Sequence, residues 1–290
     1  MTIKYIENIN IEEIIKDAKL TLFKYNINLL YTEKYIDDFM LWVVICHPKI
    51  QKSKHHLFLA LILAIYLFII DDIEDKDKNF NKLAFEIHNN NSNIIKYKKM
   101  EKIYEFIYYV QDLLKETLNL FNYGLLEKEI LNYIESEIYK NENKIIKKEF
   151  NNIQEYLNDR IINICVIPFV IINLDCLGYN YPILYNNVIK NGITTVSIMQ
   201  DIYSYEKEKD DINECYNAIK VIKKDIKIDD NIDILLNICK LNIIETCNID
   251  NNDIKEILLS MQSGNALWGV MSKRYNFIKN AITKMENLNI

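Results

Sequence analysis

Leu57-Phe58-Leu59-Ala60-Leu61-Ile62-Leu63-Ala64-Ile65-Tyr66-Leu67-Phe68-Ile69-Ile70-Asp71-Asp72-Ile73-Glu74-Asp75 is the stretch on which the reading of this chain turns. Its fourteen consecutive apolar residues, Leu57 to Ile70, would cover a helix on every side. Such a helix has no polar face to show to water and must be enclosed by others. The run is also shorter than the roughly 18–20 residues that cross a bilayer. It predicts a central helix in a large helical core. At its end, Asp71 and Asp75 are four apart and Asp72 and Asp75 three apart, which brings three carboxylates onto one helical face. Gathered carboxylates repel and lose solvation unless something cationic sits among them. Mg²⁺ fits best, because it takes one or two carboxylates together with the oxygens of a substrate's phosphates. An acidic, solvated helix end would carry the same residues, so the motif alone leaves both readings open.

A second acidic segment, Gln200-Asp201-Ile202-Tyr203-Ser204-Tyr205-Glu206-Lys207-Glu208, sets Gln200, Ser204 and Glu208 at i, i+4 and i+8. They form one oxygen-bearing stripe of amide, hydroxyl and carboxylate. Asp201, Ser204 and Glu208, at i, i+3 and i+7, form a neighbouring face that could share the ion instead. The pair of motifs resembles the class I terpene synthases, which carry an aspartate-rich DDxxD and, downstream, (N/D)Dxx(S/T)xx(K/R)(D/E). Asp71, Asp72 and Asp75 fill the first motif; Asp201, Ser204, Lys207 and Glu208 match the second. Gln200 departs from it, standing where the family has Asn or Asp.

The basic residues narrow the site. Of 35 Lys and Arg, only Arg160 and Arg274 are arginine. With so much Ile, Asn, Lys and Tyr, the composition reads as that of an AT-rich genome, in which Arg persists where its planar fork matters for phosphate or carboxylate. A surface ion pair is the plain alternative for each. Arg160 resembles the family's diphosphate-sensing arginine, and Arg274-Tyr275, preceded by Trp268, its C-terminal "RY" pair. The resemblance implies that a helix break just beyond Arg160, near Asn163 and Ile164, links diphosphate binding to ionisation. The family's small residue is missing there, and the 40-residue spacing from Arg160 to Gln200 is slightly short.

From the resemblance follow a set of expectations. The fold is all-α, a single-domain helical bundle over 1–290 around an apolar active-site cavity. The reaction is Mg²⁺-dependent ionisation of a linear prenyl diphosphate, farnesyl diphosphate first, geranyl or geranylgeranyl diphosphate otherwise. The cation then cyclises or is quenched to a terpene hydrocarbon or alcohol. Asp71, Asp72, Asp75, Gln200, Ser204 and Glu208 would hold about three Mg²⁺, with Mn²⁺ as a substitute. Arg160, Lys207, Arg274 and Tyr275 would complete the anion site, and Phe68 and Trp268 would line the pocket, as would Tyr66 and Phe169, though core packing explains any one aromatic as well. A trans-prenyltransferase would share the fold but should carry a second aspartate-rich motif. A catalytically weakened isoprenoid binder is the other alternative, and a homodimer is compatible with all three.

The composition agrees with one large helical enzyme. Half of the residues are apolar, and five Gly and three Pro leave few helix breakers. A net charge of −6 argues against nucleic acid or an acidic membrane as partner. The first residues lack the hydrophobic region of a signal peptide, no 18-residue apolar stretch occurs, and Cys46, Cys165, Cys176, Cys215, Cys239 and Cys247 contain no CxxC pair. We expect a cytoplasmic protein with reduced core thiols and no integral membrane segment. Helical periodicity runs through 9–25, 32–46, 54–76, 98–118, 123–142, 150–175, 183–209, 213–225, 232–246, 251–262 and 264–287, with a kink expected at Pro168. Helices 54–76 and 183–209 are expected to face each other across the pocket. His55-His56 reads as a helix start and Asp37-Asp38 as a solvated face. No DxDD occurs to supply the acid of a protonation-initiated cyclase.

Overall fold

The computed structural model describes residues 5–6, 9–27, 33–73, 79–89, 101–142, 150–210, 216–222 and 228–271. Among them the chain forms twelve α-helices and one two-residue antiparallel pair, β1 (Tyr5–Ile6) with β2 (Ile9–Asn10). The helices cluster into two compact units: residues 1–142 with 167–181, and 143–166 with 182–290.

The first unit holds α1 (Ile11–Lys24), α2 (Glu33–Cys46), α3 (Lys54–Ile73), α4 (Asn79–His88), α5 (Glu101–Thr117), α6 (Leu120–Glu142) and α8 (Ile167–Cys176). As its all-round apolar pattern requires, α3 runs through the middle, packed by α1, α2, α4, α5, α6 and α8. Every side chain from Leu57 to Ile70 is buried except Phe58 and Phe68, which are half-buried. The window Lys54–Asp71 is in fact long and apolar enough to cross a membrane, contrary to the sequence expectation, yet 67% of it is buried inside the protein. It is the core helix. Its last carbonyls are met from neighbouring helices: Tyr133 Oη donates to Leu67 O (3.3 Å) and Asn81 Nδ2 to Ile70 O (3.4 Å).

Several polar groups inside this unit are tied into networks. Ser53 caps α3, accepting from His56 N, while the His56 ring bridges Ser53 Oγ (2.8 Å) and Asp175 Oδ2 (3.1 Å). His56 thus serves a helix start, as expected. Asp175 also accepts from Asn119 N, Asn119 Nδ2 and Asn122 Nδ2, binding the α5–α6 turn to the end of α8. Burial raises its pKa, but the bonds from His56, Asn122 and Asn119 outweigh that and hold the carboxyl below its usual range. Tyr66, a candidate pocket aromatic, is committed elsewhere: its hydroxyl meets His88 Nε2 (2.8 Å), whose Nδ1 meets Glu127 (2.7 Å).

In the second unit lie α7 (Ile153–Asn163), α9 (Asn186–Glu208), the short α10 (Ala218–Val221), α11 (Ile228–Cys247) and α12 (Asn252–Met271). Here α9 is central, packed by α7, α10, α11 and α12. A Cβ on Gly269 would come within 2.2–2.9 Å of the Tyr203 ring, so glycine lets α12 close onto α9.

Several sequence expectations need correction. The single helix 150–175 is two, broken at residues 164–166, and the break precedes Pro168 instead of following from it. Cys165 takes a left-handed φ of 50° there, and Pro168 sits in the first turn of α8, where its missing N–H costs nothing. The helices 251–262 and 264–287 are one through Gly264, described as far as Met271. Over 213–225 only Ala218–Val221 is helical among the described residues, and α4 was not foreseen. The five described cysteines are free, but Cys247 is exposed rather than in the core.

Candidate active site

α7 builds one wall. Asn152 caps it, its Oδ1 accepting from Glu155 N (2.9 Å). Tyr156, Arg160 and Asn163 then fall at i, i+4 and i+7, one face of the helix. That face meets Asp201 of α9, which is fully buried. Arg160 Nε (3.1 Å) and Nη2 (2.9 Å) both reach Asp201 Oδ1. The Tyr156 hydroxyl donates to Asp201 Oδ2, as does Ala218 N (3.1 Å). Four donors converge on one carboxylate, which is what a buried charge requires. The remaining Arg160 nitrogen, Nη1, donates to Asn163 Oδ1 at 2.6 Å.

The charges follow from this packing. Burial raises the Asp201 pKa to about 6, even with the Arg160 guanidinium beside it. For Arg160, burial works against the cation, but the Asp201 carboxylate outweighs it and the guanidinium titrates above its ordinary value. Tyr156 is pushed up by burial and then by Asp201, so it stays a neutral donor. Phe150 shields it, its ring edge-on to Tyr156 (centroids 5.1 Å) and Tyr216 (5.8 Å).

Because Asp201 turns to α7, its neighbours on α9 form a separate face. Ser204 is buried and Glu208 and Gln200 half-buried. Asn217 Nδ2 lies 3.0 Å from Glu208 Oε2 and 3.4 Å from Ser204 Oγ. A hydroxyl and a carboxylate oxygen thus lie against the same amide nitrogen, and both are oxygen donors of the kind a hard divalent cation takes. Among the described residues no three His, Cys, Asp or Glu side chains gather into a metal cluster; the stripe is of mixed oxygen donors. Both oxygens of Asp201 are engaged by α7 and by the start of α10.

The sequence-predicted residues divide as follows. Arg160, Gln200, Ser204 and Glu208 belong to the second unit, and the structure brings Ser204 and Glu208 together. Asp71 is half-buried in the last turn of α3 in the first unit. Asp72 and Lys207 lie within α3 and α9, but their side chains, and Asp75, Arg274 and Tyr275 entirely, fall outside the described residues. Phe68 stacks on Phe39 (4.4 Å, 18°), and Phe169 packs edge-on to Trp42 (4.8 Å). Trp268 is buried, 2% exposed. The sequence reading missed Tyr156 and Asn217. Tyr156 was findable, four residues before Arg160 on one face; Asn217 was not, because residues 209–216 intervene.

In comparisons with known proteins, the sequence profile of terpene synthase family 2, C-terminal metal binding, matches residues 63–240. No curated protein matches the sequence. The fold resembles 2-methylisoborneol synthase from Streptomyces coelicolor A3(2), solved with Mg²⁺ and geranyl-S-thiolodiphosphate, at TM-score 0.73 and 16% identity over 92% of each chain. Linalool/nerolidol synthase from Streptomyces clavuligerus, with 2-fluorogeranyl diphosphate, gives TM-score 0.70 and 11% identity over 91% of this chain and 95% of that one. Abietadiene synthase from Abies grandis gives 0.68 and 14% identity, over 89% of this chain and 37% of that one. With a metal-binding profile over more than half its length and the all-α class I fold throughout, the chain belongs to the terpene synthase family, lyases that act on prenyl diphosphates.

Proposed function

We propose that the chain, acting as one α domain over 1–290, ionises a linear prenyl diphosphate in a Mg²⁺-dependent step. The cation is then cyclised or quenched to a terpene hydrocarbon or alcohol, with diphosphate released. The carrying observation is Arg160, held rigidly by Asp201 and Asn163 on the same unit as the Ser204–Glu208 oxygen pair. A guanidinium fixed by a carboxylate below and an amide beside it is a preorganised cation for an oxyanion that develops on leaving.

Asp71, Asp72, Asp75, Gln200, Ser204 and Glu208 would hold about three Mg²⁺ in all. Bound there, the metal supplies charge neutralisation and Lewis acidity to the leaving group. Arg160, Lys207, Arg274 and Tyr275 bind the diphosphate oxygens, while Phe68 and Trp268 keep the hydrocarbon dry and offer their π faces to positive charge. Farnesyl diphosphate is the first substrate to try, with geranyl diphosphate beside it, since solved structures of two relatives at no more than 18% identity hold geranyl or neryl diphosphate analogues. A cytoplasmic setting suits this reading, and Mn²⁺ should replace Mg²⁺.

Purified protein incubated with geranyl, farnesyl and geranylgeranyl diphosphate plus Mg²⁺ tests the proposal. A volatile hydrocarbon or alcohol by gas chromatography, with equimolar diphosphate, is the expected result. A longer prenyl diphosphate would mean chain elongation, and no turnover with any of the three would mean a binding protein.

A further inference from the structure

Asn217 belongs to neither metal motif, yet it is fully buried and faces both motif oxygens of α9. Its Oδ1 accepts from Ile219 N (3.0 Å), which caps α10. Its Nδ2 donates to Asp201 O (2.8 Å) and Glu208 Oε2 (3.0 Å), with Ser204 Oγ at 3.4 Å. One amide group carries two hydrogens, so the two short contacts take them and the longer one is secondary. The cap alone would need only the oxygen. The amide nitrogen is what the ordinary capping role leaves unexplained.

We infer that Asn217 is a positioning residue for the metal site, orienting the Glu208 carboxylate and steadying Ser204; this rests on the reading of both as metal ligands. Glu208 sits in the last turn of α9, on a side chain with three rotatable bonds whose ordering has an entropic cost. A neutral N–H on Oε2 fixes the rotamer while leaving the carboxylate its charge and other lone pairs. A lysine there would neutralise the ligand, and an aspartate would repel it. Lys220 Nζ donates to the backbone oxygen of Glu208. Groups that orient a metal ligand in this way are typically worth about 10–100-fold in metal affinity.

Asn217→Ser keeps a cap-competent hydroxyl but cannot reach Glu208; Asn217→Thr is the second variant of that kind. Mn²⁺ binding is followed by loss of the free-ion electron paramagnetic resonance signal, with inorganic diphosphate present, and the Mg²⁺ dependence of turnover is measured beside it. Both variants should bind Mn²⁺ about tenfold more weakly and need about tenfold more Mg²⁺ for half-maximal rate, with kcat at saturating Mg²⁺ largely recovered. A purely structural role would lower the active fraction and leave the Mg²⁺ requirement alone. Unchanged Mn²⁺ affinity in both variants, with affinity lost in Glu208→Gln, overturns the inference and spares the ligand reading. Unchanged affinity in Glu208→Gln as well overturns both.

Discussion

Adjacent residues on α9 do opposite jobs because a helix turns about 100° per residue. Asp201 points to α7 and is spent on Arg160, Tyr156 and the α10 backbone. Gln200 lies on the stripe with Ser204 and Glu208. Asp201→Asn keeps the shape but sets an amide against donors and leaves Arg160 without its counter-charge. Breaking a buried pair in this way costs about 3–5 kcal/mol, so kcat/KM should fall at least ~100-fold and the thermal midpoint should drop as well. Gln200→Leu should also lose ~100-fold, the size of losing one preorganised polar group, but with an unchanged midpoint and a raised Mg²⁺ requirement; Gln200→Asn should keep or raise activity. Steady-state kinetics with melting curves separate the two. Wild-type turnover in Gln200→Leu would remove it from the ligand set. Arg160→Lys, which keeps the charge but cannot hold Asp201 through two nitrogens, should lose most activity.

At the scale of the element, the helices that pack against each other leave little room for error. Tyr203 is 2% exposed, and its hydroxyl donates to Ala266 O (3.1 Å), so its ring cannot swing away from a methyl group placed on Gly269. Gly269→Ala should therefore destabilise by about 1–3 kcal/mol despite alanine's better helix propensity. Urea unfolding would measure it, and a stabilised variant would contradict this packing. The same closeness explains what could be read in advance. Long apolar periodicity located α3 and α9, and the i+4 rhythm located the Gln200–Ser204–Glu208 stripe. The break after Asn163 falls where the family resemblance implied one; periodicity alone ran the helix on to 175 with a kink at Pro168, because the left-handed Cys165 at which the chain turns carries no mark in the sequence. The helix start read at Gly264 lies buried within α12. Asp201's partnership with Arg160 was hidden for a different reason: it depends on the packing of two helices 41 residues apart.

For the molecule as a whole, pH should act on stability through a histidine remote from the motifs. His47, at the end of α2, is fully buried against Trp42 and Phe169. Its Nδ1 lies 3.0 Å from Asn173 Nδ2 and so accepts a hydrogen bond, which puts the ring proton on Nε2. Among the described residues that Nε2 is buried without a hydrogen-bond partner, and burial lowers the pKa to about 3. The folded protein therefore takes up this proton far less readily than the unfolded chain, whose histidine titrates near 6.5. The contribution is fully present above pH 6.5 and is lost as pH falls towards 3, at up to about 1.4 kcal/mol per unit. Other groups titrate in the same range, so the comparison needs a variant that removes only this one. His47→Phe keeps an aromatic ring between Trp42 and Phe169, and Asn173 Nδ2 retains its bond to Phe169 O (2.7 Å). Urea midpoints measured from pH 7.5 to 4.5 should fall more steeply for wild type than for His47→Phe, with the curves converging or crossing on the acid side. Parallel curves would mean that His47 charges in place without cost, against its burial.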